Sequence, residues 1–129
     1  MNKSIVLAAV IAVFFGCEAK KTAPGPKSLV TICGVKDSAK ELAWLKEIIA
    51  KAEDDRTNKT YSGNYLGSVY LEKFNGQDVF YTDMAMGSGG LAFRLFTCDG
   101  QPVSFSSNEQ MLSFVKAVQK SKLIYSNLF

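Results

Sequence analysis

The sequence predicts an α+β domain: an antiparallel meander sheet of four to five strands packed with two helices as a two-layer sandwich. Two observations carry the sheet and one carries the helices. Asn75-Gly76 and Asp99-Gly100 each stand between β-prone runs, the strongest short-range hairpin signal. Ser38-x-x-Glu41 and Ser107-x-x-Gln110 are capping boxes, and each opens a stretch with apolar residues at helical spacing.

Ahead of these elements the chain starts Asn2-Lys3-Ser4, runs through 11 apolar residues from Ile5 to Phe15, and reaches Gly16-Cys17. A basic start, a short apolar core and a small residue at the cut site make a secretory signal over residues 1–16. The run falls short of the roughly 20 residues a membrane-spanning helix needs. Gly16-Cys17 resembles the lipobox of bacterial lipoproteins. The resemblance implies removal of the signal before Cys17 and lipidation of that cysteine. Phe14 and Phe15 depart from the pattern, which prefers Leu and then a small residue there. Ordinary cleavage after Ala19, giving a secreted protein, and an uncleaved anchor are the competing outcomes.

Residues 17–27 follow as a lipidated terminus and flexible tether, since Glu18 to Lys27 has no hydrophobic period and contains Pro24-Gly25-Pro26. The folded domain is expected over residues 28–129. Ser28 to Cys33 is β-prone and reads as a first strand. The first helix, which Asp37 or Ser38 can cap, carries Leu42, Leu45, Ile48, Ile49 and Ala52 on one face with Trp44 beside them. It is expected to fray at Glu53-Asp54-Asp55, where acids meet the negative end of the dipole.

A two-residue turn at Asn75-Gly76 would pair Phe74 with Gln77 and carry the ladder back to Val69 and Thr82. That register places Lys73 opposite Asp78 and Tyr70 opposite Tyr81. The Asp99-Gly100 turn would pair Cys98 with Gln101 and Phe96 with Val103, and Pro102 confines the last short strand to an edge. The second helix presents Met111, Leu112, Phe114, Val115 and Val118, with Lys116, Lys120 and Lys122 towards its end. Leu123 to Phe129 is an apolar tail expected to pack back on the domain.

One sheet face is expected to cover both helices, using Val69, Leu71, Phe80, Thr82, Leu91, Phe93 and Leu95. The other face then carries Tyr70, Glu72, Phe74, Tyr81, Arg94 and Phe96. Tyr70, Phe74, Tyr81, Arg94 and Phe96 are the candidate partner-binding residues, because aromatics and arginine are enriched at interaction hot spots. Coverage of these aromatics by the helices or the tail is the competing reading. A one-residue slip would exchange the faces of any strand.

Composition narrows the function classes. The chain has 129 residues, a net charge of +3 and no histidine. That charge is too small and dispersed for a nucleic-acid stripe. Lack of histidine removes Ser-His-Asp and Cys-His catalysis and most zinc sites, so no metal, cofactor or catalytic residue is assigned. Of the three cysteines, Cys33 and Cys98 remain if Cys17 bears lipid. An even pair outside the cytoplasm reads as a disulfide, with two buried thiols as the alternative, because spacing alone does not establish the geometry.

Three shorter motifs each have a structural and a functional reading. Met84 to Gly90 lacks the Lys-Ser/Thr and following helix of a phosphate loop and reads as a hairpin tip, with its methionines able to form an adaptable contact. Glu53-Asp54-Asp55 lacks the alternating ligands of a calcium loop. Asp37-Ser38-Ala39 resembles an O-glycosylation signal of exported Bacteroidota proteins, but a capping role for Ser38 competes with it.

Taken with the Leu42 to Ile49 helix, the Asn75 to Tyr81 segment and the Cys98-Asp99-Gly100 turn, Gly16-Cys17 makes the chain similar to the small lipoproteins of Bacteroidota. The resemblance implies a lipid-anchored envelope protein and brings no catalytic residues. The expected function is non-catalytic binding of an envelope component or protein partner, with membrane attachment through Cys17. A secreted or envelope hydrolase inhibitor, presenting Met84 to Gly90 on an architecture like β-lactamase-inhibitor domains, is the alternative. A histidine-independent enzyme is a third.

Overall fold

The computed structural model describes residues 31–87, 93–120 and 122–129. The signal, the tether, the start of the expected first strand and residues 88–92, including Leu91, lie outside them.

The fold is organised by the hairpin at Asn75-Gly76. Both residues have positive φ, 50° and 77°, as a twist-matched two-residue turn requires. This turn aligns β1 (Ser68–Phe74) with β2 (Gln77–Thr82). The pairs run from Phe74↔Gln77 to Val69↔Thr82, as expected from the sequence. Lys73 Nζ sits 2.7 Å from Asp78 Oδ1, and the Tyr70 and Tyr81 rings lie 6.2 Å apart. β3 (Arg94–Phe96) pairs with the far side of β2. The apolar tail becomes β4 (Lys122–Ser126), which pairs with β1. The result is a four-stranded antiparallel sheet in the order β3-β2-β1-β4. The α+β class and the meander of β1 to β3 agree with the sequence.

The first helix is divided. α1 (Ser38–Glu41) ends where Leu42 leaves helical geometry at ψ 111°, and α2 (Ala43–Asn58) begins after it. Asp37 occupies the cap position, and its backbone N–H donates to Glu41 Oε1 at 3.0 Å. Ser38 is instead a buried residue of the helix itself, with 4% exposure. A cap role is therefore not its function, and a glycan on its hydroxyl has no room. α3 (Asn108–Ala117) opens on the second capping box: Ser107 Oγ accepts from Gln110 N at 3.2 Å. Gln110 Oε1 reaches back to Ser106 N at 2.8 Å. Lys120 and Lys122 lie beyond the end of α3.

The arrangement of layers differs from the sequence expectation. Leu45, Ile48, Ile49, Ala52 and Trp44 of α2 pack with Val69, Leu71, Phe80 and Phe96. Phe114 of α3 packs with Val79, Tyr81, Leu95, Tyr70, Phe74 and Phe93. The helices therefore cover opposite faces, giving three layers in place of two. Within α3 the bulky Phe114 takes the sheet contact, while Leu112 and Val115 stay exposed at 53% and 46%. The five apolar residues of α3 span an arc wider than one contact face can bury.

β3 also has its faces exchanged relative to expectation. Phe80↔Phe96, Tyr81↔Leu95 and Thr82↔Arg94 are directly opposed, and opposed residues share a face. Arg94 and Phe96 therefore lie with Phe80, and Phe93 and Leu95 lie with Tyr81. After the Asp99-Gly100 turn, Phe96 bridges Pro102, not Val103. Val103 N donates to Leu95 O at 2.9 Å, so this return makes a single bridge and no strand.

A disulfide joins Cys33 and Cys98, with Cα atoms 5.5 Å apart and a separation of 65 positions in sequence. It pins the turn at Ile32–Val35 to the turn following β3.

Candidate functional site

Of the five candidate binding residues, three share the α3 face. Tyr81 is buried at 8% exposure, and Tyr70 and Phe74 are half-buried. Phe74 meets Phe105 and Phe114 at ring distances of 5.3 and 5.7 Å, and Tyr81 stacks on Phe93 at 5.4 Å. Lys120 Nζ lies over both tyrosine rings, 5.2 Å from Tyr81 and 5.7 Å from Tyr70. Burial pushes the Tyr81 hydroxyl above its ordinary pKa against the opposing pull of Lys120. These three aromatics form an internal contact between sheet and helix.

Phe96 is on the other face, 5.4 Å from the Trp44 ring. Trp44 also meets Phe80 edge-on at 5.2 Å and donates its indole N–H to Cys98 O at 2.9 Å. Arg94 shares this face through its pairing with Thr82. Its Nε is buried and has no hydrogen-bond partner among the described residues.

Arg94 and Phe96 meet again at a cleft of about 510 Å³ along the outer edge of β3. One wall is the β3 edge with Phe93 and Leu95. The other is the segment from Pro102 through Asn108, which carries Val103 and Phe105, and Met111 closes one end. Pro102 cannot donate to a ladder, and the segment leaves the sheet after one bridge. That departure opens the cleft. Among the described residues lining it, Arg94 is the only charged one. The polar lining otherwise consists mainly of serines, of which Ser106 and Ser107 are already bonded to Gln110.

The acids singled out in the sequence are structural. α2 does not fray at Glu53-Asp54-Asp55 but continues through Asn58. Asp55 is 1% exposed and accepts three backbone N–H groups, from Tyr61 at 2.9 Å, Gly63 at 3.0 Å and Tyr65 at 2.8 Å. Burial pushes its carboxyl up, but the three N–H donors outweigh that and hold it below the ordinary range. Glu53 bonds the Tyr125 hydroxyl and Arg56, and both hold its pKa down. Asp83 Oδ1 accepts from Ser68 N at 2.7 Å, closing the start of β1. Among the described residues no group of three or more Cys, Asp or Glu is placed to hold a metal ion.

Met84, expected in an adaptable contact loop, is fully buried, and Met86 packs against the α2 core. Met86 N donates to Asn64 O at 2.7 Å. Residues 88–90 of that loop lie outside the described set.

No family model matches the chain, and no curated protein or solved structure matches it. No helix among the described residues is long and apolar enough to cross a membrane. The disulfide is compatible with a location outside the cytoplasm.

Proposed function

We propose that this protein is a non-catalytic, lipid-anchored protein of the cell envelope whose folded domain binds a partner at the β3 edge. The single observation supporting the binding role is the cleft of about 510 Å³. Its volume falls within the roughly 300–1,000 Å³ of ligand sites, and its lining combines aromatic and aliphatic side chains with Arg94, Asn108 and three serines. Support for the envelope comes from the signal-like start, Gly16-Cys17 and the Cys33–Cys98 bridge. Cys17 would supply the anchor and residues 17–27 the reach. Acyl chains hold a protein to a bilayer through about 0.8 kcal/mol per buried methylene.

Fractionation of the native host tests the anchor. Wild-type protein is expected with membranes and Cys17→Ala in the soluble fraction. Persistent membrane association of the variant would refute lipidation at Cys17. For the binding role, the wild-type domain should retain a specific envelope component that Arg94→Gln or Val103→Glu releases.

A further inference from the structure

We propose that the β3-edge cleft binds a carboxylate carried on an apolar chain, with Arg94 receiving the anion. This deepens the binding role proposed above and rests on it.

Arg94 Nε lacks a hydrogen-bond partner among the described residues. A guanidinium N–H withdrawn from water without an acceptor is costly. Arg94 Nε is the buried side-chain polar atom left in that condition among the described residues. The residue forms no ion pair there; unlike the other cations in that condition, its side chain carries a buried donor. It also lines a cleft whose other lining residues carry no charge. Among the described residues, an anion entering this cleft meets one cation and no carboxylate. The fork of N–H donors on arginine matches the two oxygens of a carboxylate.

The remaining lining sets the body of the ligand. Phe93, Phe96, Val103, Phe105 and Met111 are half-buried apolar residues of that lining, and methionine adapts to flexible chains. A small hydrophilic anion would leave these walls wet. An amphiphilic one would bury its chain against them while its head meets Arg94. Asn108 opens α3 at the lip of the cleft, and the positive end of the helix dipole adds to the same preference.

The test uses the full chain carrying Cys17→Ala and three ten-carbon probes below their micelle concentrations: decanoate, decanol and decyltrimethylammonium. Trp44 is the only tryptophan and lies 5.4 Å from Phe96, so its emission reports on the cleft. Decanoate is expected to give a saturable change, with decanol binding about tenfold more weakly and the cation more weakly still. Arg94→Gln should lose about tenfold in decanoate affinity and Arg94→Lys less, with unchanged circular dichroism showing that both are folded. If Arg94→Gln does not fold, Val103→Glu, which places a charge on the opposite wall, serves instead and should abolish decanoate binding.

Equal affinity for decanoate and decanol, no saturable binding, or full affinity in Arg94→Gln would each overturn the proposal. An apolar tripeptide with a free carboxylate, compared with its amide, separates a peptide terminus from a free amphiphile. Preference for the free acid over the amide assigns the site to chain ends; decanoate binding without it assigns the site to amphiphiles. If decanoate fails while an envelope component is still retained through Val103, the ligand class falls and the binding role survives.

Discussion

Gly100 lies directly beneath the indole of Trp44: a Cβ on this glycine would stand 2.8 Å from both Cδ1 and Cδ2 of the ring. Its φ of 78° is also one that side chains disfavour. The close approach lets the Trp44 N–H reach Cys98 O, so one glycine allows the turn, the indole and the disulfide to occupy a single corner.

Gly100→Ala should therefore destabilise the domain by about 2–4 kcal/mol, combining overpacking with left-handed backbone strain. Urea unfolding followed by Trp44 emission measures it. A loss below about 0.5 kcal/mol would show that the indole can move aside without penalty.

Reduction of Cys33–Cys98, or the double change to serine, should cost about 3–4 kcal/mol, because the bridge closes a long loop in the unfolded chain. Thiol titration of the native protein should find neither of these cysteines until it is denatured and reduced. Two reactive thiols in the oxidised native protein would contradict the bond.

Asn127 ties the end of the chain to two other elements. Its Oδ1 accepts from Gly67 N at 2.9 Å, and its Nδ2 donates to Ala52 O at 2.9 Å and Tyr65 O at 3.1 Å. The side chain is buried, at 5% exposure for the residue. Asn127→Leu should cost about 2–3 kcal/mol by stranding these groups. Hydrogen exchange at the Gly67 amide should accelerate more than exchange in the β1–β2 ladder, and uniform acceleration would argue against a local tie.

Acid sensitivity should centre on Asp55 and Glu53. Both have folded pKa values held below their ordinary ones, Asp55 by backbone N–H groups against burial and Glu53 by Tyr125 and Arg56. A depressed carboxyl contributes stability above its unfolded pKa of about 4 and loses it as pH falls through the folded value. The urea midpoint should hold above about pH 5 and drop below about pH 4. Asp55→Asn should be less stable at neutral pH and show a shallower acid decline. An unaltered slope in that variant would place the titration elsewhere.

The sequence carried some of these features and concealed others for physical reasons. The β1–β2 ladder is legible residue by residue, because Asn75-Gly76 sets the loop length and the loop length sets every pair. The inward face of α2 is legible as well, since one side of that helix is apolar. β3 is not legible: the sheet is buried on both faces, so alternation along Phe93-Arg94-Leu95-Phe96 has no solvent side to identify. Asp55 reads locally as an acid at the unfavourable end of a helix, and only the loop folding back over it supplies three donors. Arg94 is a candidate from its residue type, but its face is not legible, for the same reason as the rest of β3. The cleft beside it was hidden because its second wall, Pro102 to Asn108, is an irregular segment with no period to read.

The cross-link at Cys33 has a mechanical corollary. Tension arriving along the chain ahead of Thr31 meets the S–S bond within two residues and passes into the loop behind β3. The hydrophobic layers are thus spared from peeling at that end, and the strain is delivered beside the rim of the β3 opening. A pull on the chain ahead of Thr31 would therefore be felt at the turn that follows β3.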